Sequence, residues 1–306
     1  MLRKSTTIAL SLIGALTLGI PSATAVINIG VSPPRFELKI NRKSTTQSLR
    51  VVNLSSKPVE IKAYVRSWKM SEDNKLVEIP STEDSLAQWI IFTPSQFTIP
   101  PRSAQTLRFS IRPRVQPKPG EHRAVMFLEE IPPNEEKTKG VRTVGRLAVA
   151  IYGYVGDIKK VGAINSISVN TELKAPTAVF DISNKGNGHI RLKGQYAIWQ
   201  ADKYPGAEMT KPIDQLQKPG KKIPNQIIDA GILPISPILP DHRSRILLPI
   251  SKKLPPGKYV LDLNGELNGI KIDRGITFTI PAQTTSKKSS TQTVNSGNLK
   301  TPFQSR

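Results

Sequence analysis

Short runs of alternating apolar and polar residues, closed by proline or glycine, recur through most of this chain. In residues 59–66, Val59, Ile61, Ala63 and Val65 fall on one side of an extended backbone, with Glu60, Lys62, Tyr64 and Arg66 on the other. Side chains alternate across a strand with a period of two, so such a run buries one face and wets the other. Residues 48–53 alternate too, and residues 106–112 repeat the pattern with Leu107, Phe109 and Ile111 inward. Pro100-Pro101 closes the run before it and Pro132-Pro133 the run at 123–131, because proline has no N–H to give to a ladder. Residues 55–58 and 117–120 have turn composition. The 26 prolines and 20 glycines are spread along 306 residues, which favours many short strands over long helices.

A chain of this length can hold two ordinary cores. Residues 26–158 read as about seven strands, including 48–53, 59–68, 90–99, 106–112, 123–131 and the long run 141–155, with a polar loop at 134–140. That count and spacing predict an immunoglobulin-like sandwich. Residues 159–281 read as a second sandwich, with strands at 164–173, 178–184, 194–200, 245–250, 258–263 and 270–280. Hairpin turns are expected at Asn187-Gly188 and Asn268-Gly269. The Pro- and Lys-rich residues 202–230 are expected to form an exposed excursion between strands. The predicted fold class is therefore all-β, with two immunoglobulin-like β-sandwich domains in tandem.

The ends of the chain differ from this body. Met1-Leu2-Arg3-Lys4, the apolar run 8–20 and the Ala23-Thr24-Ala25 site have the form of a cleavable signal peptide at residues 1–25. The apolar run is short for a membrane span of ~20 residues, the alternative being a retained anchor. No later segment has the length and apolarity of a span, so the expected location is the periplasm. Residues 282–306 are rich in Ser, Thr, Gln, Asn and Lys, with Lys287, Lys288, Lys300 and Arg306 as their charges. They have too little apolar surface to order themselves and are expected to form a disordered basic tail.

The formal net charge is +21, which implies attraction to anionic partners. Export takes the protein away from nucleic acid and leaves anionic envelope polymers, glycan or lipid. Cysteine is absent, so there are no disulfides and no thiolate metal site. His122, His189 and His242 have no companions at metal-ligand spacing. Gly-x-Ser-x-Gly, Walker A and dinucleotide glycine patterns are missing. Adjacent carboxylates such as Glu129-Glu130 would point to opposite faces of a strand. The expectation is a non-enzyme without catalytic residues, metal or cofactor. Asn53-Leu54-Ser55 matches a glycosylation sequon.

Three ordered segments of the first domain resemble the N-terminal domain of the PapD-like periplasmic chaperones of pilus assembly. They are residues 31–38 (Val-Ser-Pro-Pro-Arg-Phe-Glu-Leu), residues 92–101 through 105–108, and residues 120–133, which end in Ile-Pro-Pro. The resemblance covers about 125 residues; the second domain looks like a more generic immunoglobulin-like module. It implies donor-strand complementation, in which the chaperone lends an alternating strand to a subunit that lacks one. The donor would be 141–155, with Leu147, Val149 and Ile151 as the donor face. The same three side chains fit equally well a strand that closes the domain's own core. The family also anchors the subunit's terminal carboxylate with a basic pair. Arg35 matches the first cation, and fits a surface cation equally well. No lysine stands between Gly145 and Gly156 to supply the second, which leaves Arg142 and Arg146 as substitutes. The implied partners are pilin-like or other secreted β-rich subunits and an outer-membrane usher. The competing reading is a structural or adhesive envelope protein that binds anionic glycan or lipid through basic sandwiches.

Overall fold

The computed structural model describes residues 29–41, 46–71, 73–132, 144–173 and 175–282. The predicted signal peptide, the loop 134–140, the start of the long strand at 141–143 with Arg142, and the basic tail from 283 on lie outside the described residues. Among the described residues no helix is long and apolar enough to cross a membrane.

The first domain is a sandwich of two sheets. Strand β1 (Ile29–Ser32) pairs with β3 (Thr46–Asn53) in one sheet, while β2 (Arg35–Lys39) joins the other. Pro33-Pro34 separates β1 from β2, and neither proline can donate to a ladder, so the chain leaves one sheet there and enters the other. Pro94 does the same downstream. Residues 90–99 were expected as one strand. They form β6 (Ile90–Thr93), which pairs with β8 (Ala104–Ile111), and β7 (Gln96–Ile99), which pairs with β4 (Val59–Met70) in the opposite sheet. The Ser32–Pro33 and Thr93–Pro94 bonds are both cis. With β5 (Leu76–Ile79), β9 (Gly120–Ile131) and β10 (Arg146–Val155), the sheet orders are β1-β3-β8-β6 and β2-β10-β9-β4-β5. A single helical turn, α1 (Leu86–Trp89), buries Leu86 and Trp89 just before β6.

The alternation read from the sequence becomes the core. Leu49 and Val51, Ile61 and Ala63, Leu107 and Phe109, and Ala124, Met126 and Leu128 all point between the sheets and are buried. Phe109 meets Phe36 edge to face at 4.9 Å, a favoured geometry for rings.

The second domain repeats the architecture. β11 (Gly162–Asn170), β12 (Thr177–Asn184) and β16 (His242–Pro249) form one sheet. β13 (Ile190–Gln200), β14 (Ile227–Ile232), β17 (Gly257–Leu267) and β18 (Ile270–Ile280) form the other, ordered β14-β13-β17-β18, with the short β15 (Pro237–Ile238) also paired to β13. Asn268-Gly269 is the expected hairpin: Leu267 faces Ile270, and both loop residues have positive φ, at 49° and 86°. That backbone matches the strand twist.

Asn187-Gly188 is not a hairpin, because β12 and β13 lie in different sheets. The Asn187 side chain donates to the carbonyl of Asp157 at 3.0 Å and accepts from the Lys159 N–H at 2.6 Å. It therefore ties down residues 157–159 instead of reversing the chain.

The excursion also differs from expectation. Its last residues form β14, and residues 201–226 fold back over the outer face of the β14-β13-β17-β18 sheet. Gln195 on β13 exchanges two hydrogen bonds with the backbone of Ile213, at 2.9 and 2.7 Å. The Tyr204 hydroxyl donates to Asp262 at 2.8 Å. Tyr204, Ile213 and Ile223 pack against Ala197, Trp199 and Ile227. A Cβ at Gly275 would stand 2.8 Å from the Tyr204 ring, so only glycine admits that ring.

Candidate functional site

The candidate strand, β10, pairs antiparallel with β9 along its whole length, from Arg146 opposite Glu129 to Val155 opposite Gly120. On its other side it pairs in parallel with β2, but only from Ala150 opposite Arg35 to Tyr154 opposite Lys39. Beside residues 146–149 no described strand is hydrogen-bonded. Pro33-Pro34 is the cause: it sends the chain ahead of β2 into the other sheet, so among the described residues no strand fills the slot next to 146–149 on this side. A bare row of N–H and C=O groups of this kind is a template for another strand.

The two faces of β10 divide cleanly. Val149 and Ile151 are fully buried and belong to the first domain's own core, and Leu147 is half-buried against it. Their cross-strand partners Met126, Ala124 and Leu128 are buried as well. Ile151 has strands on both sides, with Phe36 on β2 and Ala124 on β9. Of the three predicted donor residues, Leu147 and Val149 lie on the open edge and Ile151 does not. The opposite face carries Arg146, Ala148, Ala150, Tyr152 and Tyr154.

Arg35 opens β2 at the point where the free edge ends. Its Nε donates to Glu37 Oε1 at 3.1 Å, and the other carboxylate oxygen of Glu37 accepts from the Tyr154 hydroxyl at 2.9 Å. Burial and this carboxylate push the Tyr154 hydroxyl far up, so it remains a donor. Arg146 sits four residues earlier on β10, about 13 Å along a strand rising ~3.3 Å per residue. It pairs with Glu78 at 3.2 Å, donates to the Tyr64 hydroxyl at 3.3 Å and lies 4.3 Å over the Phe127 ring. The structure thus puts Arg35 and Arg146 on one face but does not bring them together, and each already faces a carboxylate.

The remaining sequence candidates are structural. The Asn53 amide of the sequon is buried and donates to the carbonyls of Lys57, Ile99 and Pro100 at 2.7, 3.0 and 3.1 Å. It has no nitrogen to offer a glycan in the folded chain. His122 bonds the Lys118 carbonyl and packs on Trp89, and His242 bonds the Pro240 carbonyl. Among the described residues no group of three or more His, Asp or Glu is placed to hold a metal. The open edge was not visible to periodicity, which marks a strand and its faces but not its neighbours. The signal that carries it is the proline pair before Arg35.

Fold and site together define a tandem immunoglobulin-like protein with a partly unpaired strand in its first sandwich. Residues 30–151 match the family model for the pili and flagellar-assembly chaperone, PapD N-terminal domain. The matched residues all lie within the first domain. Similar solved structures include the class 5 fimbriae chaperone CfaA, at 15% identity over 82% of this chain and 98% of that one, TM-score 0.40. The YadV chaperone shares 13% identity over 82% of this chain and 100% of that one, TM-score 0.41. The CsuC–CsuE chaperone–tip adhesion subunit pre-assembly complex of Acinetobacter baumannii shares 15% identity over 80% and 97%, TM-score 0.40. No curated protein matches the chain.

Proposed function

We propose that this protein is a periplasmic chaperone for pilus-type subunits and that it lends them the open edge of β10. The observation that carries the reading is the unpaired edge at 146–149, in a domain that matches the PapD family model. A subunit strand laid beside that edge in the direction of β2 would end where β2 begins, at Arg35. The subunit's terminal carboxylate would then compete with Glu37 for the Arg35 guanidinium, a charge-assisted exchange of one carboxylate for another. Leu147 supplies the side chain that enters the subunit's groove. Val149 shares the edge but is anchored in the chaperone's own core, and Ile151 holds that core together.

The test is a pair of substitutions read by subunit binding and by stability. Leu147→Asn lowers the affinity for an exported, incomplete immunoglobulin-like subunit roughly 10- to 100-fold, the range expected for one lost buried leucine, while the chaperone stays folded. Arg35→Ala weakens the same complex. If both variants bind the subunit as the parent does, strand donation through this edge is wrong. Cationic surface is a second route to partners: the +21 charge supports adsorption to anionic envelope polymers.

A further inference from the structure

The β1-β3-β8-β6 sheet of the first domain turns one face to the core and the other to solvent. Arg50 and Arg108 are the only charged residues on its four strands, which carry neither aspartate nor glutamate. The strands of the opposite sheet hold Glu37, Glu60, Glu78, Glu121, Glu129 and Glu130. Leu49, Val51, Leu107 and Phe109 take the buried positions, so alternation turns Arg50 and Arg108 outward, and both are exposed. The register sets a hydroxyl on either side of each. Ser32 on β1 and Thr106 on β8 stand opposite Arg50; Ser48 on β3 and Thr93 on β6 stand opposite Arg108. The two arginines are diagonal neighbours in this register, about 7 Å apart at the backbone. Among the described residues neither guanidinium meets a carboxylate.

Two unpaired guanidinium forks flanked by four hydroxyls call for an anion rich in acceptors. The planar fork matches phosphate oxygens two at a time. The outward positions of these strands offer no ring on which a sugar could stack, because Phe92 and Phe109 both pack into the core. The donors lie in two rows, two residues or about 7 Å apart along the strands. They spread over a sheet face instead of following a groove, which suits a two-dimensional array of phosphates better than a single polymer strand. Ile91, 53% exposed on the edge strand opposite Ser110, adds an apolar contact at the rim.

We propose that this face docks the protein on an anionic lipid surface, with Arg50 and Arg108 holding lipid phosphates and the flanking hydroxyls completing their hydrogen bonds. The proposal rests on the cationic route to partners named above and gives it a place; it is independent of strand donation, which uses the opposite sheet. The experiment is flotation of the full chain, at ~0.1 M salt, with vesicles of phosphatidylcholine and phosphatidylglycerol in roughly equal parts, and with phosphatidylcholine alone. A soluble polyuronate serves as the glycan comparison. The parent is expected to bind the mixed vesicles and not the neutral ones. Arg50→Gln with Arg108→Gln should weaken that binding roughly 10- to 30-fold, the sum of two cations near a membrane surface. Lys252→Gln with Lys253→Gln removes the same charge from an exposed loop of the second domain and should weaken it less than about threefold. Both arginines are exposed, so the glutamine pair keeps the fold, and its binding of a subunit should match the parent's. The proposal is overturned if the parent binds mixed vesicles no better than neutral ones, if the two pairs weaken binding equally, or if the arginine pair loses the polyuronate and keeps the vesicles.

Discussion

One asparagine device is used twice. Asn53 ends β3 and Asn184 ends β12, and both are buried. Each donates to the carbonyl four residues on, Lys57 for Asn53 at 2.7 Å and Gly188 for Asn184 at 2.9 Å. Each also accepts the N–H two residues on, from Ser55 at 2.8 Å and from Gly186 at 2.9 Å. Each reaches a third segment, at Ile99 and at Ile238, both 3.0 Å away. The amide thus satisfies loop backbone that the strand's end would otherwise bury unpaired. Asn53→Ala and Asn184→Ala should each cost about 1–3 kcal/mol in urea unfolding. At Asp181 the bidentate guanidinium of Arg243, at 2.6 and 2.7 Å, holds the carboxyl down at about 2, with Asn165 adding to the effect. A carboxyl so lowered contributes stability above its unfolded pKa of about 3.9, and the contribution is lost as pH falls through about 2. Asp181→Asn should therefore lower the urea midpoint at neutral pH, and the gap to the parent should close between about pH 4 and pH 2.

Strands and their faces were legible in the sequence because a half-buried strand writes its period of two directly. Ile270–Ile280 and the inward set Leu107, Phe109 and Ile111 emerge as read. Neighbour relations were not legible. Nothing local says that residues 90–99 are divided between two sheets at Pro94, or that Asn187-Gly188 crosses between sheets. The excursion misled for a related reason: its prolines and lysines look solvated, yet Tyr204 and Ile213 lock it onto β13 and β17. Gly275→Val would drive a side chain into the Tyr204 ring. It should lift the roof from the sheet and shift tryptophan emission to the red. On β10 the two candidate roles separate by position. Ile151→Ala should cost about 2–5 kcal/mol, the range for a truncated core residue. Leu147→Asn should cost less than half of that because the side chain is only half-buried.

For the whole molecule, charge and open edge make different demands. Adsorption to anionic polymer through the +21 surplus should weaken steeply as salt shortens the Debye length from ~10 Å at 0.1 M to ~3 Å at 1 M. A strand seated in a groove by backbone hydrogen bonds and an apolar side chain should persist across that range. The family resemblance carried in residues 31–38, 92–108 and 120–133 falls within the residues that the family model matches. It could not show that Glu37 already holds Arg35, or that Ile151 is flanked on both sides. The decisive measurement is hydrogen exchange on this protein, alone and after co-expression with a secreted, incomplete immunoglobulin-like subunit. Strand donation predicts a complex in which the backbone amides of residues 146–149 gain protection that Leu147→Asn removes. A complex that leaves those amides exchanging as in the free protein would contradict it.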